Sequence, residues 1–379
     1  MEAAVQLSKR LVVVNSNYPS ETNLYGDVFV HSRLVHYPPE FEVEVCGVGR
    51  PGEYSYEGIR VRTLADAGAL LDHVARTRPD AVLIHFVEPW MHGTLLAGER
   101  PAVVWVHGGE ALGWYRRLWN MNRLRTIVGY PPKNLLQQLA MHRMVRRVNA
   151  SSRIHFVFPS EWMRRVAERD ALVRFANASI IPNPIDLDRF PYRQKRAEDR
   201  MRVLLLRSFE SRKYATDVAM DAVRLLRGEP FFDELQVTVC GDGRFHERDL
   251  AGLASLPNVR VEKRFFEQRE IPALHAQHGV YLSPTRQDAQ GVSMCEAMAS
   301  GLVPISSPVT AIPEFVDDGR SGVLRRTAED VAAALAALVC DHDEFLQLSA
   351  AASARVVAQC GHPTVVAREV EVIECVTAR

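Results

Sequence analysis

Four apolar runs constrain the fold of this chain more than any other feature. They read LVVV at 11–14, AVLI at 81–84, AVVW at 102–105 and VLLL at 203–206. Runs without polar alternation belong to strands buried on both faces, as in a parallel sheet covered by helices. Each run gives way to a polar loop, and helical segments stand between the runs. ADAGALLDHVARTRPD at 65–80 is one such amphipathic helix. The pattern predicts an α/β chain, with further strands at 41–49, 59–64, from residue 154, at 236–243 and at 279–282.

Length divides this pattern in two. A chain of 379 residues is expected to form two domains. The hydrophilic stretch 193–200, which follows SIIPNPIDLDRFPY, places the boundary. Domains of 1–185 and 186–360 follow, with a last helix (361–379) packing back on the first. Net charge is zero, so there is no global attraction to nucleic acid or membrane, and no nucleic-acid-binding module is present. The six cysteines are scattered without a CxxC pair, which points to a reducing compartment and away from a zinc site. Lys9-Arg10 precedes an apolar run too short for a signal peptide, so a cytoplasmic protein is expected.

In doubly wound sheets ligands bind outside the carboxyl ends of the strands. In the first half this singles out Gly26, the stretch from His85 to Glu88, and His107-Gly108-Gly109-Glu110. His107 ends a strand and two glycines follow it, so its ring either meets a ligand or is satisfied by neighbouring backbone. Glu110 is either a site residue or a cap. His31 and His36 are expected on a helix face, without a role. Residues 111–160 contain no acid, yet 114–153 carries Arg116, Arg117, Arg123, Arg125, Lys133, Arg143, Arg146, Arg147 and Arg153 among Trp114, Tyr115, Trp119 and Tyr130. Such a stretch suits an anionic membrane surface or a phosphorylated acceptor, the alternative being a solvated helix face. Pro131-Pro132 is expected to split it into two helices.

In the second half one stretch gathers the chemistry: YLSPTRQDAQGVSMCEAMASG, 281–301. A strand ends in Ser-Pro, a polar loop follows with Gly291, and a helix begins at once. Unpaired amides and the helix dipole make such a start a seat for an anion. Asp288 and Glu296 bracket the seat. Arg207, Arg212 and Lys213 crowd the loop after strand 202–209 at the same sheet edge, and QVTVCGDG closes another strand on Gly241 and Asp242. These residues fit a nucleotide held between two doubly wound domains, or an ordinary strand–loop–helix. Neither a P-loop lysine motif nor GxGxxG after the first strand is present, so ATPase and hydride-transfer readings lack residues.

Several of these stretches together resemble the retaining, nucleotide-sugar-dependent glycosyltransferases of family 4, which have the GT-B architecture of two Rossmann-like domains facing a cleft. IPNPIDLDRF is similar to the family's hinge through Asn183, Asp186 and Phe190, and CGDG to its glycine-rich strand end. SPTRQDAQGVSMCEAMASGLVPISSPVTAIPEFVDDGRSGVL resembles its donor-site pattern. The resemblance implies that Glu296 holds the ribose and Asp288 contacts the transferred sugar, where the family usually has glutamate. Gly291, Val292 and Ser293 would offer backbone to sugar or phosphate. Arg207 or Arg212, with Lys213, would neutralise the diphosphate; Gly241 and Asp242 belong to the same donor side. His107 would reach the reaction centre, and Gly26 would stand near phosphate and acceptor. The implied partners are a nucleotide-sugar donor and a glycan, lipid-linked or phosphorylated acceptor, with no cofactor, no essential metal and no nucleic acid. Two rival readings are a sugar-nucleotide epimerase on the same architecture and an inactive nucleotide-sugar-binding member.

Overall fold

The computed structural model describes residues 8–23, 26–93, 100–121, 124–151 and 153–378. The chain divides into two compact units. The first holds most of the chain up to Pro184 and takes it up again from His362; the second holds Ile185–Gly361.

The first unit is built on an eight-stranded sheet. Its strands are β1 (Lys9–Val14), β2 (Phe41–Val48), β3 (Gly52–Tyr56), β4 (Ile59–Leu64), β5 (Ala81–His85), β6 (Ala102–Trp105), β7 (Ile154–Phe158) and β8 (Ala178–Ile180). They lie in the order β3-β4-β2-β1-β5-β6-β7-β8, and every neighbouring pair except β3–β4 is parallel. The apolar runs form its centre: Val13, Leu83 and Val103 stand in register, all fully buried. The antiparallel β3 has no counterpart in the sequence reading. GEYSY is half exposed and alternates, so it carries no apolar run. Its signal is the tight turn into β4, where Glu57 and Gly58 both take positive φ (44° and 85°).

The helix α1 (Val28–Leu34) and the C-terminal helix His362–Thr377 close this core, the latter through Val365, Ile373 and Val376. Between them lies a fully buried ion pair, Arg33 Nη1 to Glu369 Oε1 at 3.1 Å. Arg33 Nη2 donates to Asn183 Oδ1 (2.7 Å) and Tyr37 Oη donates to Glu369 Oε2 (3.0 Å). Burial raises the Glu369 carboxyl, and Arg33 pulls it back. His31 is also buried, not on a free helix face: its Nδ1 meets Tyr18 Oη at 2.7 Å and its Nε2 meets Glu57 at 2.9 Å.

The expected break at Pro131-Pro132 does not occur. A single helix, α2 (Leu124–Val148), runs through both prolines. Each proline frees the carbonyl four residues earlier, on Ile127 and Val128. Both residues are exposed, so water can satisfy those carbonyls and the helix continues. Among the described residues, no helix is long and apolar enough to cross a membrane.

The second unit is a six-stranded, wholly parallel sheet. Its strands β9 (Arg202–Leu206), β10 (Gln236–Cys240), β11 (Val259–Glu262), β12 (Val280–Leu282), β13 (Val303–Ser306) and β14 (Val323–Leu324) lie in the order β11-β10-β9-β12-β13-β14. The helices α3 (Thr216–Leu225), α4 (Val292–Ala299), α5 (Ala328–Cys340) and α6 (His342–Cys360) belong to it. The strand order changes direction beside β9, so the loops after β9 and β12 mark its switch point.

Candidate functional site

At that switch point the backbone after β9 is held by β10. Arg207 N donates to Cys240 O (3.1 Å), and a Cβ on Gly241 would lie 1.9 Å from Arg207 O. Gly241 also has φ 138°, so only glycine fits. Its place in the site is therefore to seat the Arg207 backbone. Asp242 accepts from Gly243 N (2.7 Å), and its carbonyl accepts from Phe209 N (2.9 Å), which fixes the same loop.

Arg207 is buried, and its Nη1 lies 3.9 Å from Asp288 Oδ2. Its Nε and Nη2 have no hydrogen-bond partner among the described residues. A buried guanidinium with open N–H groups is costly unless something completes it. Arg212 is different. Its Nη1 donates to both Asp249 oxygens (2.8 and 2.7 Å), its guanidinium lies 3.8 Å from the Phe245 ring centre, and Asp217 is 3.8 Å away. Arg286 forks onto Asp217 (2.9 and 2.8 Å) and donates to Arg212 O. Arg212 thus braces the loop, with Asp249 bonded to its guanidinium and Asp217 close by. Lys213 next door makes no ion pair among the described residues and lies 5.2 Å from the Tyr214 ring centre.

The loop after β12 leads into α4. Asp288 N donates to Thr310 Oγ1 (3.0 Å), and Asp288 Oδ1 accepts from Gly291 N (3.0 Å). Gly291, at φ 82°, turns the chain into the helix. Its amide, expected to be offered to a ligand, is occupied by Asp288, which is close enough in sequence to cap it. The amides of Val292 and Ser293 remain in the first helical turn, and the Ser293 side chain bonds Tyr281. Glu296 lies inside α4 and is buried. Burial pushes its carboxyl up to about 8; Arg189 and Arg207 pull against that rise and Asp186 adds to it.

In the first unit the corresponding place is the loop after β6. His107 is half buried, and its Nε2 lies 3.0 Å from Nδ1 of the fully buried His85, the two rings being stacked. Phe29 and Phe86 pack on the His107 ring (5.0 and 4.5 Å between centres), and its Nδ1 has no hydrogen-bond partner among the described residues. Burial first, and then Arg33, hold both imidazoles well below their usual pKa, so both are neutral at pH 7. Glu110 acts as the cap. It accepts from His107 N (2.6 Å) and Gly108 N (3.0 Å) and fixes the loop that carries the ring. His85, singled out at the end of its own apolar run, is brought by the parallel pairing of β5 and β6 beside His107. Gly26 stands against its own loop: a Cβ there would lie 2.5 Å from Asn17 O. The glycine is required by that crossing, with the carboxylate of Asp27 tied to Asn15 and Asn17.

Of the basic stretch, Arg116 is committed to Asp170 (2.7 and 2.8 Å), which lies outside it in sequence. Arg123 and the Arg125 side chain lie outside the described residues. Along the outward face of α2, exposed Val128, Leu135, Leu136 and Leu139 give way to exposed Arg143, Arg146 and Arg147.

Known proteins resemble the chain in both halves. Residues 200–341 match the family described as "Glycosyl transferases group 1", and 26–189 match "Glycosyltransferase Family 4". A Salmonella typhimurium protein, provisionally named a colanic acid biosynthesis glycosyltransferase, is 29% identical over 170 residues. That match takes in 42% of this chain and 41% of that protein. Among solved structures, a glycosyltransferase from Rickettsia africae aligns with a TM-score of 0.72 at 13% identity, over 97% of this chain and 98% of its own. Sucrose-phosphate synthase from Thermosynechococcus elongatus aligns with 0.73 at 13% identity, over 98% and 99%. HepE of Anabaena, solved with UDP-glucose, aligns with 0.68 at 14% identity, over 97% and 99%. At such identities the structures show a shared fold.

Proposed function

The chain belongs to the group 1, family 4 glycosyltransferases with the GT-B fold, and from that premise we propose that it moves a sugar from a nucleoside-diphosphate sugar to an acceptor hydroxyl. The proposal includes retention of the anomeric configuration. The observation that carries it is Arg207, a buried guanidinium with two unpartnered nitrogens among the described residues, 3.9 Å from the Asp288 carboxylate that caps Gly291 at the start of α4. Diphosphate oxygens would complete those groups, and the match strengthens as the leaving group gains charge. Lys213 and the amides of Val292 and Ser293 add to the same seat. Glu296 takes the ribose hydroxyls.

Asp288 has one oxygen on Gly291 N and the other turned toward Arg207, so it meets the transferred sugar through Oδ2. His107, neutral and pinned by Glu110, meets a sugar hydroxyl through its open Nδ1. In this reading the charge that a divalent metal neutralises in other transferases falls to Arg207 and Lys213. Assembly of a cell-surface polysaccharide is supported by the name of the Salmonella relative. The outward face of α2 is proposed to rest on an anionic membrane, its apolar half against the acyl boundary and its arginines on phosphates.

The test is a panel of nucleoside diphosphates and their sugars by thermal shift, followed by transfer assays with and without a chelator. One nucleotide should stabilise the protein, and the product should keep the donor's configuration. Arg207→Ala binding that nucleotide as well as the natural chain does would sink the reading. For the membrane contact, Leu135→Asp with Leu136→Asp should release the protein from phosphatidylglycerol vesicles. Undiminished vesicle binding would overturn it.

A further inference from the structure

A cavity of about 600 Å³ lies in the first unit, beside the loop that carries His107. Its floor comes from the loops after β5 and β6, with Phe86, Pro89 and Glu110, and its wall from α2, with Tyr130, Leu136 and Ala140. Two contacts tie the cavity to the site loop: the Phe86 ring packs on His107, and Gln137 Nε2 donates to Glu110 O (2.9 Å).

The lining is mixed in a particular way. Phe86, Pro89, Leu136 and Ala140 offer hydrocarbon, while Arg117 and Lys133 stand at the same space as cations. The two acids that share it are already engaged: Glu110 caps two backbone amides, and Glu88 accepts from Trp90 Nε1 (2.8 Å). Among the described residues Arg117 donates to the Tyr130 hydroxyl (3.3 Å) and stands near enough to Glu110 to attract its carboxylate, and Lys133 is exposed without an ion pair. Leu136 lines the cavity and is still 67% exposed, so the mouth continues into the apolar outward face of α2. A purely polar ligand would leave the hydrocarbon wall unused, and a neutral lipid would leave both cations unanswered.

We propose that this cavity binds a phosphorylated hydrocarbon amphiphile, chain along Phe86, Pro89, Leu136 and Ala140 and phosphate against Arg117 and Lys133. Under the transfer reading above, on which this role rests, that amphiphile is the carrier of the acceptor and brings its polar end to the His107 loop. The binding itself needs no turnover.

The experiment is calorimetric titration of the full chain with farnesyl diphosphate, with farnesol and inorganic diphosphate as separate arms. Farnesyl diphosphate should bind saturably, and each half-molecule should bind weaker by about tenfold or more. Ala140→Trp, which fills the wall, and Lys133→Glu, on the exposed side, should each weaken the complete probe by about tenfold. Glu296→Ala should leave it unchanged. Lys133→Glu keeps the test valid where Ala140→Trp does not fold. Equal binding of inorganic diphosphate, or full affinity in Lys133→Glu, overturns the proposal. Vesicle binding that persists in Ala140→Trp while farnesyl diphosphate is lost separates the cavity from a general lipid surface and supports it. The proposal stands apart from the donor reading, whose failure would appear as loss of nucleotide binding alone.

Discussion

After β6 and after β9 the chain solves one problem with opposite chemistry. Each loop must hold a side chain at the carboxyl end of a parallel sheet. In the first unit an acid does the holding, with Glu110 taking the amides of His107 and Gly108, and the ring it presents is kept neutral among Phe29, Phe86 and His85. In the second unit glycine does the holding, with Gly241 letting the Arg207 carbonyl pass at close range, and the presented group is a cation with open N–H groups. The difference teaches where charge is meant to develop. On the second unit's edge the presented group is itself a donor to an anion, whereas the ring presented on the first unit is uncharged and packed among aromatic rings, beside a cavity of mixed lining.

Removing Arg207 should break this contrast with the largest effect. Arg207→Ala is expected to lower kcat/KM by roughly a hundredfold or more, the usual consequence of losing one preorganised donor to developing charge. Arg212→Ala, five residues on, should act instead on folding. It strands the buried Asp249, at a cost of roughly 3–5 kcal/mol typical of a broken buried pair, and nucleotide affinity in the protein that remains folded should stay near the natural value. Denaturant melts and nucleotide titrations of both variants decide it; two variants with the same profile would remove the distinction.

That distinction also marks what the sequence makes legible. The apolar runs marked both sheets, and the loop–glycine–helix pattern around Gly291 marked the switch-point edge of the second, because both are local. Arg207 and Arg212 look alike in sequence, and what separates them is Asp249, far along the chain and brought in only by folding. Gly291 and Gly26 hid for a different reason: their partners, Asp288 and the loop at Asn17, are near in sequence, but only the folded turn shows which amide and which carbonyl they meet. The strand β3 escaped because a half-exposed edge strand has no apolar run. The prolines of α2 misled because their freed carbonyls face water, where a helix tolerates them.

On the first unit the contrast is sharpened by Glu110→Gln. The amide keeps one acceptor for the two backbone N–H groups and loses the charge assistance, so the His107 loop should loosen. Transfer is expected to fall by about tenfold, in line with a weakened charge-assisted bond, while nucleotide affinity stays unchanged. An equal loss of nucleotide affinity would place Glu110 with the donor residues instead.

The smallest effect is one of pH, and its sign differs between the units. Burial raises the Glu296 carboxyl to about 8, above its unfolded value, so folding keeps it protonated; its stability contribution is full at acid pH and is lost as pH rises toward 8. Burial lowers His85 and His107 below their unfolded value, so their contribution is present above that value and is lost on acidification. Glu296→Gln should therefore raise the melting temperature by about 2–4 °C per kcal/mol regained, near pH 8.5 and hardly at all near pH 5. His85→Phe keeps the stacking on Trp105 and removes the titrating ring. Measured as variant minus natural chain, its melting temperature should improve as pH falls below about 6.5. Melting curves across this range test both slopes at once. Variants whose shifts do not change with pH would show that neither edge is tuned by its buried titrating group.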